Sequence, residues 1–179
     1  MTEVFEKIKN KSLDDWYNLN SSKWIRIGGG TSGQAMGSYE IFNKAKIFID
    51  KKFTDVNISL VSAVGLMYLE PIVDITLPDG TRTYYGNVDL DEIEKILNYH
   101  LSENKPLIDR AFAGNDKASK LWNIQNINLM PNISKQKKIA TRNFGDTDPL
   151  NIDHYIARGG YSALSSAIFE KTPEFIVNE

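Results

Sequence analysis

Residues 24–101 carry an order of hydrophobic periodicities that few folds accept: strand, helix, strand, hairpin, helix. Trp24-Ile25-Arg26-Ile27 reads as a short strand that ends abruptly in Gly28-Gly29-Gly30. From about Gln34 to Lys52, Ile41, Ala45, Phe48 and Ile49 share one stripe with lysines opposite, the pattern of an amphipathic helix. Val56 to Val61 is a second apolar run with polar bounds, expected to be a buried strand. Ile72 to Tyr85 alternates around Pro78-Asp79-Gly80, where proline presets the turn and glycine supplies its free backbone, so a hairpin is expected. Asp89 is placed to cap a helix bearing Ile93, Ile96, Leu97 and Leu101, with Glu92 three residues on to complete a capping box.

Strands joined by a helix run parallel, whereas a hairpin adds antiparallel partners. The expected product is an α/β, thioredoxin-like mixed sheet flanked by helices, followed by a helical C-terminal extension. Residues 1–23 read as a helical lead-in, with Val4, Phe5 and Ile8 and then Leu13, Trp16 and Tyr17 at helical spacing. The thioredoxin-like domain is placed at 24–110 and a connecting segment, where periodicity fades and asparagine is frequent, at 111–137. Trp122, Leu121 and Ile124 imply that part of this connector is packed. A helical tail at 138–179 has Asp148-Pro149 opening one helix, Gly159-Gly160 separating it from the next, and Thr172-Pro173 starting a third.

Composition removes several classes of function. Among 179 residues there is no cysteine, which excludes disulfides, thiolate clusters, zinc ribbons and cysteine nucleophiles together. A net charge of −2 without a dominant basic face gives no reason to expect nucleic acid, and Lys135-Gln136-Lys137-Lys138 reads as a solvated turn. No apolar stretch approaches membrane-spanning length, and the start MTEVFEKIKNK lacks the apolar core of a signal peptide. Neither membrane insertion nor export is therefore expected, and the cytoplasm is the expected compartment.

Three blocks carry a resemblance. The first is Gly30-Thr31-Ser32-Gly33-Gln34-Ala35-Met36-Gly37-Ser38, and the second runs from Ser62-Ala63-Val64-Gly65-Leu66-Met67-Tyr68-Leu69-Glu70-Pro71 to Tyr85-Gly86-Asn87-Val88. The third contains Lys138-Ile139, Arg142-Asn143-Phe144-Gly145, Asp148-Pro149, Tyr155-Ile156-Ala157 and Gly159-Gly160-Tyr161. In this order they resemble the thioredoxin-like ferredoxin domain, and then the lead-in of the flavin domain, of flavoprotein subunits of NADH dehydrogenases and bifurcating hydrogenases. The resemblance covers roughly residues 24–177.

The resemblance implies a two-iron two-sulfur cluster and FMN in the family, and the departures from it bear on function. Ser32 stands where a cluster-ligand cysteine is expected, and Ala63 and Met67 occupy the second block's pair. Phe144 replaces a further cysteine of the Arg-Asn-Cys-Gly string. Ala63 offers no donor atom, and the neutral Met67 thioether cannot offset the charge of ferric iron, so neither cluster nor metal is expected. Ala63 and Met67 are instead expected to fill the vacated space, methionine being suited to irregular gaps. The family's glycine-rich flavin and NADH segment is not in this sequence, so FMN is not expected either. A short subunit and the N-terminal piece of a longer, active one both remain open.

Two weaker signals compete with this reading. Gly28-x-Gly30-x-x-Gly33 matches a dinucleotide fingerprint, but no acid ends the second strand to hold a ribose. Gly28, Gly29, Gly30, Thr31, Ser32 and Gly33 are thus read as a structural turn, with anion or nucleotide binding at the following helix as the alternative. His100 and His154 lack metal-ligand spacing and are assigned surface roles, and Asp89, Asp91, Glu92 and Glu94 are assigned to a helix start. No catalytic constellation is visible. The expected function is a non-catalytic structural part of an NAD(P)H-oxidising electron-transfer complex, with a flavoprotein or hydrogenase subunit as partner.

Overall fold

The computed structural model of the chain describes residues 2–179; Met1 lies outside them. The described residues form two compact units, one of 19–148 and one joining residues 2–18 to 149–179.

The larger unit is organised by a five-stranded sheet in the order β2-β1-β3-β4-β5. β1 (Lys23–Gly28) runs parallel to β2 (Val56–Val61) and antiparallel to β3 (Val73–Thr76). β3 pairs antiparallel with β4 (Arg82–Tyr85), and β4 with β5 (Ala111–Gly114). The parallel pair is joined through α2 (Thr31–Ala35) and α3 (Ser38–Lys52), and α4 (Ile93–Glu103) follows the hairpin. This is a thioredoxin-like mixed sheet flanked by helices. α1 (Thr2–Asn20) precedes the sheet, and α5 (Asp116–Trp122) and α6 (Pro131–Ser134) follow β5.

Each strand sends alternate residues to opposite faces, and that alternation divides the interior in two. Ile25, Ile27, Val73, Ile75 and Tyr85 face α3 and α4, which contribute Ile41, Ala45, Ile49, Ile93, Ile96, Leu97 and Leu101. A smaller apolar cluster of Leu66, Ile72, Tyr84, Ala113 and Ile127 forms separately. Between the Trp24 and Tyr84 rings, Arg26, Asp74 and Arg82 make a buried charged network. Asp74 Oδ1 accepts from Arg26 Nε at 2.8 Å, and Asp74 accepts from Arg82 at 2.9 and 2.8 Å.

Several expectations need correction. Residues 111–114 of the expected connector form β5, which pairs with β4 at the sheet edge. The helix expected from Gln34 is broken at Gly37, where φ is +89°, giving α2 and α3. Asp89 does accept from the amides of Asp91 and Glu92, both at 2.9 Å, but α4 starts later at Ile93. Glu92 does not close a capping box; it binds Arg110, with Arg110 Nε donating at 2.7 Å.

Neither histidine is a surface residue. His100 is buried behind the sheet, with Nδ1 2.9 Å from the Tyr85 hydroxyl. The same hydroxyl accepts from the Leu107 amide at 3.1 Å, so its proton is free to go to His100. Burial pushes the His100 pKa down to about 3. In the smaller unit His154 is buried edge-on against the Trp16 ring, with centroids 5.1 Å apart.

That smaller unit comprises residues 2–18 of α1 with α7 (Ile152–Ala157), α8 (Ser162–Phe169) and α9 (Pro173–Asn178), the last exposed throughout. Ser12 Oγ donates to Asp153 at 2.7 Å, and Thr172 caps α9 by accepting from the Phe175 amide at 3.2 Å. Between α1 and α8 lies an apolar cavity of about 390 Å³, walled by Val4, Ile8, Leu164 and Ile168. No described helix is long and apolar enough to cross a membrane.

Candidate functional site

Ser32, Ala63, Met67 and Phe144 come from three distant stretches of sequence and line one cavity of about 270 Å³. Ser32 lies on α2, while Ala63 follows β2 and Met67 opens the helical turn Met67–Leu69. Phe144 reaches them because its segment is pinned to the sheet. Arg82 donates from Nη1 to Asp146 Oδ1 and from Nη2 to the Gly145 carbonyl, both at 2.6 Å. Gly145 has φ +79° and lies so close to Val64 that a β-carbon there would collide with it.

The expected filling of this space does not occur. Met67 is 68% exposed, and its side chain borders the cavity instead of occupying it. The remaining walls are Val64, Gly65, Gln136, Lys138 and Thr141. Lys138 is half-buried, unlike its exposed neighbours Lys135, Gln136 and Lys137, so it does not belong to a solvated turn. A second cavity of about 280 Å³ shares Val64, Lys138 and Phe144 with the first and adds Arg82, Tyr84 and Arg142.

The donor set does not suit an iron–sulfur cluster. The four positions offer one hydroxyl and one thioether, and the chain has no thiolate. Among the described residues, no group of three or more histidine, aspartate or glutamate side chains is arranged to hold a metal ion.

The glycine loop has a different occupation from the one a nucleotide would need. The Gly28 amide donates to Ile72 O at 3.0 Å and the Gly29 amide to Val61 O at 2.7 Å. Gly33 sits against the Gly28 carbonyl with no room for a β-carbon, and one at Gly28 would lie 2.8 Å from Glu70 Oε2. Gly30 approaches Ala63 in the same manner, at 3.3 Å. The glycines therefore let strand end, helix start and Glu70 approach one another, and the α2 that follows has only five residues.

Glu70 is a residue that the motif reading quoted without assigning it a role. It is 1% exposed; Oε2 accepts from the Ile72 amide at 3.0 Å, while Oε1 has no hydrogen-bond partner among the described residues. Burial raises its pKa, and the Ile72 hydrogen bond only partly opposes that. The sequence signal for Lys138, Val64 and Thr141 was equally thin, since nothing local shows that residues 74 positions apart will share a wall.

No protein-family model matches the chain, and no curated protein matches it. Among solved structures it is similar to a thioredoxin-like [2Fe-2S] ferredoxin from Aquifex aeolicus, at 20% identity and a TM-score of 0.46 over 53% of this chain and 94% of the ferredoxin. A cysteine-to-serine variant of that ferredoxin aligns at 21% identity with a TM-score of 0.43, covering 50% of this chain and 96% of the other. Both alignments span about half of this chain and nearly all of the ferredoxin.

Proposed function

We propose that the chain is a non-catalytic structural domain of an NAD(P)H-oxidising electron-transfer complex, with the thioredoxin-like body of a ferredoxin and no cluster in it. One observation carries the reading. The four positions at which the sequence departs from the family's cysteines, Ser32, Ala63, Met67 and Phe144, converge on a single cavity of an otherwise intact sheet-and-helix body. Replacements scattered over the surface would suggest a chance resemblance. Their meeting at one place supports a scaffold that has outlasted its redox centre.

The partner in this reading is a flavoprotein or hydrogenase subunit, as the three sequence blocks imply. Affinity purification of the chain from its native cell tests it, and co-purification of such a subunit is the expected result. A strictly monomeric protein with no redox-enzyme partner overturns the reading. Anaerobic incubation with ferrous iron and sulfide separately tests the cofactor part, with no visible-region absorbance expected; a stoichiometric cluster spectrum would refute it.

The glycine loop gives no support to the nucleotide alternative, because the Gly28 and Gly29 amides are already committed to Ile72 and Val61.

A further inference from the structure

The cavity lined by Ser32, Ala63, Met67 and Phe144 has an electrostatic character that a vacated space need not have. Lys138 is its only charged wall, and no carboxylate lines it. Lys138 is half-buried and, among the described residues, has no ion-pair partner. The Ser32 and Thr141 hydroxyls that border the same space also have no hydrogen-bond partner among the described residues. An ammonium without a protein counter-charge is free to make a charge-assisted hydrogen bond to an anion beside it.

The adjoining cavity strengthens the same bias. It adds Arg142, which also has no ion-pair partner among the described residues, while its one carboxylate, Asp146, is already engaged by Arg82. The walls shared by the two cavities are Val64 and Phe144, with Lys138 between the two spaces. Apolar walls joined to a few convergent polar groups are the composition of a small-molecule site.

We propose that this place binds a small amphiphilic organic anion, a carboxylate, sulfonate or phosphate ester carrying one apolar ring. Its acidic group pairs with Lys138 and the ring lies against Val64, Met67 and Phe144. Ser32 and Thr141 are the neutral donors available to the remaining oxygens. The inference is independent of the partner proposed above, because it concerns only this chain's own cavity and its charge.

The test is a fluorescence titration of the full chain with the aromatic sulfonate 8-anilinonaphthalene-1-sulfonate, with amide chemical-shift mapping of the same complex. Lys138→Met is expected to weaken binding about tenfold, the size of one charge-assisted contact. Ala63→Leu, which fills the cavity, is expected to do the same, and Lys137→Met, at an exposed neighbour, to change nothing. Shifts are expected at residues 32, 63–67 and 136–144, and inorganic phosphate, which lacks a ring, is expected to compete weakly. Shifts confined to residues 2–18 and 149–179, where the other apolar cavity lies, would overturn the proposal. Equal affinity of wild type and Lys138→Met would do so as well, and the wild-type map decides even if a variant fails to fold.

Discussion

Asp74 holds Arg82 in a two-pronged hydrogen bond across the β3–β4 hairpin, accepting from Nε on one carboxylate oxygen and from Nη2 on the other, at 2.9 and 2.8 Å. Arg26 shares the first of those oxygens from the neighbouring strand. One carboxylate therefore bridges two guanidinium groups, and Asp146 supplies Arg82 with a second counter-charge.

Removing Asp74 leaves Arg26 buried without a counter-charge and Arg82 with Asp146 alone. Asp74→Ala is expected to destabilise the larger unit by about 3–5 kcal/mol, the range for breaking a buried ion pair from one side. Urea denaturation followed by tryptophan fluorescence measures this, Trp24 being stacked on Arg26. A loss below about 1 kcal/mol, the worth of an exposed pair, would show the network to be solvated.

His100 sets an acid limit on stability. Its folded pKa of about 3 lies well below the ordinary 6.5, so between those values the unfolded chain takes up a proton that the folded chain refuses. Stability should fall as pH falls through that window, by up to about 1.4 kcal/mol per pH unit. Urea midpoints measured from pH 7 to pH 4 should show the slope, and His100→Gln should flatten it. A slope unchanged in the variant would place the acid sensitivity elsewhere.

Glu70 acts in the opposite sense. With its pKa raised above 4.5 in the folded state, the folded chain keeps a proton that the unfolded chain releases, so stability declines as pH rises past 4.5. Glu70→Gln keeps an oxygen for the Ile72 amide and removes the charge. It is expected to stabilise at pH 7, where it removes a charge from a buried site, and to lose that advantage near pH 4, where the carboxyl is protonated. Thermal melts at both values check it, and a destabilised variant at pH 7 would contradict the assignment.

Gly145 keeps the Phe144 segment on the sheet. Its φ of +79° disfavours a side chain, and a β-carbon there meets Val64. Gly145→Ala is expected to cost about 1–3 kcal/mol locally. Limited proteolysis should then cut within 138–146 while β1 to β5 stay resistant. Unchanged resistance of that segment would mean that Arg82 alone suffices to hold it.

What was legible in the sequence follows from the range of the signals. β2, from Val56 to Val61, and the Pro78-Asp79-Gly80 hairpin were readable because period and turn chemistry act over a few residues. β5 was not, because Ala111-Phe112-Ala113-Gly114 is short, rich in small residues and defined by its pairing with β4. His100 was misread for a similar reason: its hydrogen-bond partner Tyr85 sits on another element. The four cavity positions were identifiable only through family resemblance. Their meeting, and the part Lys138 plays in it, depends on Arg82 drawing residues 145 and 146 onto β4.

The two polar centres of the larger unit differ in how they can change over generations. Residues 32, 63, 67 and 144 border open space, so each can be exchanged singly with little effect on the others. Arg26, Asp74 and Arg82 are locked together through Asp74: exchanging that carboxylate alone strands the buried Arg26 charge, whereas a concerted exchange for apolar residues is tolerable. A lineage can therefore drift stepwise at the cavity while the network resists a one-step loss of Asp74. The thioredoxin-like body has a ratchet built into its sheet, and the cavity has none.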